Sequence, residues 1–173
     1  KDTELEETLQ KLKNPPTLVI TDSQVFGTVQ KLLPKEIPLT SFSILFARYK
    51  GDLDTVVNGA FALDNLKDGD TLLISEGCTH HRQCKDIGSV KIPEWVKKHS
   101  GKELNFEFTS GGEFPSDLSK YALVIHCGGC MLNEKEMQSR TERCRKQNVP
   151  IVNYGMAIAK MNGILERSIE VFK

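Results

Sequence analysis

Apolar residues recur along this chain in two rhythms. Short, nearly continuous runs stand at Thr17-Leu18-Val19-Ile20-Thr21, Thr71-Leu72-Leu73-Ile74-Ser75 and Tyr121-Ala122-Leu123-Val124-Ile125, each bounded by turn or charged residues. That is the pattern of short strands buried on both faces. Residues 39–46 alternate weakly and are rich in β-formers, which predicts another strand. Residues 104–108 alternate apolar with polar, and Pro150-Ile151-Val152-Asn153-Tyr154 reads as a last strand or strand end. Between these runs helical spacing takes over. A charged helix over residues 3–12 ends before Pro15-Pro16, and residues 25–33 form a helix stopped by Pro34, after the capping pair Asp22-Ser23. Residues 52–66 carry Leu53, Val56, Val57, Ala60 and Leu63 at helical spacing. Further helices are predicted around Pro93, over residues 134–147, and at residues 155–159 and 164–172.

This alternation predicts the α/β class: two small α/β units with mostly parallel sheets, the C-terminal one Rossmann-like. The division falls near residues 67–70, giving units over residues 1–69 and 70–173. Composition changes the picture little. The 173 residues are 39% hydrophobic and 27% charged, enough to bury a core. Lys+Arg and Asp+Glu both number 23, so no net field selects nucleic acid or an acidic membrane surface. No run approaches the roughly 18 apolar residues of a membrane span. The opening Lys1-Asp2-Thr3-Glu4 has neither an apolar signal core nor an initiator Met, so the sequence reads as a fragment or processed product. Five cysteines, an odd number, predict a reducing, cytoplasmic setting and no disulfide framework.

The candidate chemistry sits directly after two of the strand-like runs. Cys78-Thr79-His80 follows the run at residues 71–75, and His126-Cys127-Gly128-Gly129-Cys130 follows the run at residues 121–125. In open α/β sheets the carboxyl ends of strands line the binding crevice, so both groups converge if the strands share a sheet. Thiolate and imidazole suit zinc or iron. A structural zinc held by Cys78, Cys127, Cys130 and one histidine fits this spacing. So does a [4Fe–4S] cluster on the same thiolates, its fourth iron left to His80, His126, a carboxylate or water. Spacing does not separate the two, and thiol–disulfide chemistry at Cys127 and Cys130 fits less well beside the histidines. Glu76, Asp86 and Glu113 are nearby acids that can supply an oxygen ligand. His81 reads as a surface or outer group, Cys84 as a spare ligand or sensor or, more simply, a buried small hydrophobe, Cys144 as a non-ligand inside the charged helix, His99 as a helix-end residue, and Trp95 as a core or interface anchor. No G-x-x-x-x-G-K-[ST] loop is present, and Gly111-Gly112 alone is weak ground for a phosphate cradle.

Glu76-Gly77-Cys78-Thr79-His80-His81-Arg82-Gln83-Cys84, Ile87-Gly88-Ser89-Val90-Lys91-Ile92-Pro93 and His126-Cys127-Gly128-Gly129-Cys130-Met131-Leu132-Asn133 closely resemble HydF, the maturation proteins of [FeFe]-hydrogenases. Leu18-Val19-Ile20-Thr21-Asp22-Ser23, Pro38-Leu39-Thr40-Ser41-Phe42-Ser43 and Val152-Asn153-Tyr154-Gly155 extend the resemblance over nearly the whole chain. It implies a dimerisation domain followed by a cluster-binding domain, without the family's GTP-binding domain and hence without catalysis in these residues. It implies a [4Fe–4S] cluster on Cys78, Cys127 and Cys130, with His80 or His126 as candidates for the fourth position. It further implies a scaffold that accepts a di-iron precursor bearing CO and cyanide from radical-SAM maturases and delivers it to the apo-hydrogenase. Short strands in the N-terminal unit suit a homodimer formed by edge pairing.

Overall fold

The computed structural model of the chain describes residues 2–77 and 86–173. Its frame is a pair of wholly parallel sheets. The smaller joins β1 (Val19–Thr21) to β2 (Leu39–Ser41), with Val19 opposite Leu39. The larger comprises β3 (Thr71–Glu76), β4 (Asn105–Ser110), β5 (Tyr121–His126) and β6 (Ile151–Asn153), in the order β4-β3-β5-β6. The α/β class and parallel pairing predicted by the hydrophobic rhythm are therefore present in both sheets.

Helices connect and cover the strands. In chain order they are α1 (Asp2–Lys11), α2 (Phe26–Leu32), α3 (Phe42–Lys50), α4 (Leu53–Phe61), α5 (Ile92–Ser100), α6 (Glu134–Lys146), α7 (Tyr154–Met161) and α8 (Leu165–Ile169). The strand expected over residues 39–46 stops after three residues, and its second half is the start of α3. Ser41 explains the switch: its hydroxyl accepts from the Ile44 N–H at 3.4 Å, capping a helix that buries Ile44 and Ala47. The helix expected over residues 52–66 is α4 followed by a 3-10 turn over Ala62–Asn65. A short π-helical segment, Ile87–Lys91, precedes α5. Asp86 starts it by accepting from the amides of Gly88 and Ser89, both at 3.0 Å.

β3 carries Leu72 and Ile74 on one face and Leu73 on the other, all fully buried, because successive side chains point to opposite sides of a strand. Leu72 and Ile74 join the main core, which runs without a break through Phe26, Leu39, Ile44, Ala60, Ile125 and Met156. Leu73 joins a second core with Leu118, Val124, Cys144 and Ile151. The close approach of α4 to β6 requires Gly59, where any Cβ would collide with the Ile151 carbonyl. No helix among the described residues is long and apolar enough to cross a membrane.

Candidate metal centre

The order β4-β3-β5-β6 reverses between β3 and β5, so the crevice beyond their carboxyl ends is the switch point at which such sheets bind ligands. β5 delivers Cys127 there: its amide donates to the Ser75 carbonyl at 2.9 Å, continuing the ladder one step past the strand. Cys78 and His80 follow β3 but lie at residues 78–85, outside the described residues, as do His81 and Cys84.

Two backbone amides point at Cys127. Its Sγ accepts from Gly77 N–H at 3.2 Å and Gly129 N–H at 3.4 Å, so the sulfur is held in place by backbone donors from both ligand-bearing strand ends. Side chains are disfavoured at both Gly77 and Gly129. A Cβ on the first would meet the Leu132 side chain, and the second turns at φ 63° against Met137. Cys130, three residues on, is exposed. Both cysteines border a cleft of about 270 Å³ that also takes in Glu76, Asp86, Phe46 and Ser43. Burial acts to raise the Asp86 carboxyl, but hydrogen bonds from Ser89, Glu76 and Gly88 outweigh it and hold the pKa below 3.8. Glu113 sits exposed in the turn after β4 and does not line the cleft. Among the described residues no group of three His, Cys, Asp or Glu side chains is arranged to hold a metal.

His126 closes β5 and is only 1% exposed. Its Nε2 lies 3.1 Å from Arg140 Nη1 and its Nδ1 lies 2.7 Å from the Cys127 carbonyl oxygen. A guanidinium only donates, so Nε2 accepts and Nδ1–H donates to the carbonyl. Burial, with a smaller contribution from the Arg140 charge, pushes its pKa down to about 4 against the opposing pull of the Cys127 carbonyl. The ring is neutral at pH 7, and both nitrogens are engaged.

Arg140, on α6, is equally buried. Nε donates to Glu136 at 2.7 Å, Nη2 to the Gly111 carbonyl at 2.9 Å, and Nη1 to Ser75 Oγ at 3.4 Å as well as to His126. Its guanidinium carbon stands 5.0 Å from the centre of the Phe114 ring. Thr109 Oγ1 donates to the same Ser75 hydroxyl at 3.1 Å. Thr109, Ser75, His126 and Asn153 form one register row across the sheet's carboxyl edge. Nothing in the sequence singled out Arg140, which sits in the most polar helix of the chain.

The remaining candidates have quieter settings. Cys144 is fully buried in the second core, which pushes its thiol up to about 12 and keeps it inert. His99 stands in the last turn of α5 and pairs with Asp64 at 3.0 Å. Trp95 is half-buried against the main core.

The described residues thus define a parallel α/β fold with a Cys-Gly-Gly-Cys loop at the switch point of its larger sheet. Residues 54–171 match the hydrogen maturase F tetramerization domain and residues 1–51 the hydrogen maturase F dimerization domain. The chain therefore belongs to the hydrogen maturase F family, and its role lies in hydrogenase maturation. No curated protein matches the chain.

Proposed function

We propose that this chain is the scaffold and carrier part of a hydrogen maturase F protein: residues 1–69 associate with a second copy, and residues 70–173 hold a [4Fe–4S] cluster through Cys78, Cys127 and Cys130. Its cargo is a di-iron precursor bearing CO and cyanide, received from radical-SAM maturases and passed to apo-[FeFe]-hydrogenase. The observation that supports this most directly is the pair of amides on Cys127 Sγ at the sheet's switch point. A sulfur positioned this way by two backbone amides suits a ligand to iron, and the exposed Cys130 is well suited to a group that must meet protein partners. When bound, the cluster supplies an iron with an exchangeable position at which cargo is held.

The chain's own residues do the remainder. His126 serves as a positioning group: held by Arg140 on one side, it grips the Cys127 carbonyl on the other and fixes the start of the loop. The acids Glu76 and Asp86 line the same cleft as the two cysteines and add polar groups to it. On this reading these residues act by binding and release of the cargo.

Reconstituted protein should show the broad visible absorbance of an iron–sulfur chromophore. Cys78→Ala, Cys127→Ala and Cys130→Ala should each remove it, while Cys144→Ala keeps it. An unchanged chromophore in all three single variants rules out this ligand set.

A further inference from the structure

Lys50, the last residue of α3, reaches across to the cysteine loop. Its ammonium donates to the carbonyls of Gly129 at 3.2 Å, Cys130 at 2.8 Å and Leu132 at 2.9 Å. An ammonium has three donors and all three are used here. The ammonium also stands 5.1 Å from the centre of the Phe46 ring. The two ends of this contact come from different parts of the family: Lys50 lies in the stretch matching the dimerization domain, and the loop in the stretch matching the tetramerization domain. In a trans peptide the N–H points opposite to the C=O. Carbonyls drawn to Lys50 therefore turn the amides of Cys130, Met131 and Asn133 away from it. The Lys50 contacts thus fix three peptide planes of the loop segment that begins with Gly129, whose own N–H donates to Cys127 Sγ.

We propose that Lys50 is a positioning residue that latches the cysteine loop to the self-association unit and sets how firmly the loop retains a bound cluster. The latch stands on the contacts above, whereas its effect on retention rests on the cluster reading. Arginine cannot replace it: a planar fork does not direct three donors onto three carbonyls converging on one point. Charge alone is therefore not the property at work.

The test compares wild type, Lys50→Met and Lys50→Arg in the whole chain. Hydrogen exchange on metal-free protein should show lost protection over residues 128–133 in both variants, with β3, α5 and the melting temperature unchanged. After reconstitution with iron and sulfide, a ferrous chelator should strip iron from both variants about tenfold faster than from wild type. Wild-type exchange in Lys50→Met would overturn the latch, and equal iron release would overturn its effect on the cluster. If wild type takes up no iron the cluster reading fails, while the exchange comparison still decides the latch. Should Lys50→Met not fold, Lys50→Gln carries the same comparison.

Discussion

The carboxyl ends of β5 and β6 lie side by side, His126 in register with Asn153, yet the chain leaves them in opposite ways. β6 runs straight into α7: Asn153 Oδ1 accepts from Met156 N–H at 2.8 Å, and its Nδ2 donates to the Ser43 carbonyl at 2.8 Å. Every residue from Tyr154 to Ala159 is buried. β5 makes the same kind of cap, Asn133 accepting from Glu136 N–H at 2.9 Å, but only after a detour through Cys127 to Leu132. That detour carries the exposed Cys130 and Met131 and leans on backbone amides and Lys50 for its shape. The direct exit builds structure, tying the large sheet to α3. The detour gives up compact packing to present two thiols, and its buried polar supports, His126 and Arg140, replace the apolar contacts found next door.

This contrast can be broken from either side. The largest effect after loss of a ligand cysteine belongs to Arg140→Met. It leaves His126 Nε2 and the Gly111 carbonyl without their donor, and thermal or denaturant unfolding should register about 2–3 kcal/mol of destabilisation. The EPR spectrum of the reconstituted variant should also change, because His126 no longer fixes the Cys127 carbonyl. A wild-type spectrum would mean that this network is structural only. Next comes Gly155→Ala at the direct exit, where a Cβ would press on Ser43 Cβ and on Ser23 Oγ. About 1–2 kcal/mol of stability should be lost in an unfolding titration, with the affinity for iron unchanged. Loss of iron from this variant would show that the two exits are not separable.

The smallest effect is away from both. Asp64 receives Lys160 at 2.6 Å and His99 at 3.0 Å, and these two bonds hold its pKa below 3.8 despite partial burial. A depressed carboxylate contributes stability above its unfolded pKa and loses it as the pH falls through the folded one. Asp64→Asn should therefore lower the melting temperature slightly at pH 7, by the equivalent of about half a kcal/mol for a pair this exposed. The difference should disappear as the pH drops below 3.8. A gap that persists in stronger acid would assign it to packing.

Much of this frame was legible in the sequence. The runs at residues 71–75 and 121–125 are strands because only a doubly covered parallel sheet wants such continuous apolar stretches. The thiol at Cys127 was predicted to follow such a strand, and does. Residues 39–46 misled because a short apolar run satisfies both periods, and the deciding signal was the Ser41 cap rather than hydrophobicity. His126 looked like a ligand because it precedes a cysteine. As the last residue of β5, however, it still belongs to the buried row, and its long-range partner Arg140 decides its hydrogen bonds. Lys50 was invisible for a similar reason: a lysine ending a helix is ordinary, and the carbonyls it reaches lie far along the chain.

The central claim is that the loop after β5 presents thiolates for an iron–sulfur cluster. Anaerobic reconstitution with iron and sulfide, followed by metal counting and EPR of the dithionite-reduced protein, tests it most directly. About four irons per chain and a spin-½ signal absent from Cys127→Ala is the expected result. One tightly held zinc per chain that iron does not displace would contradict it and make the loop a structural zinc site.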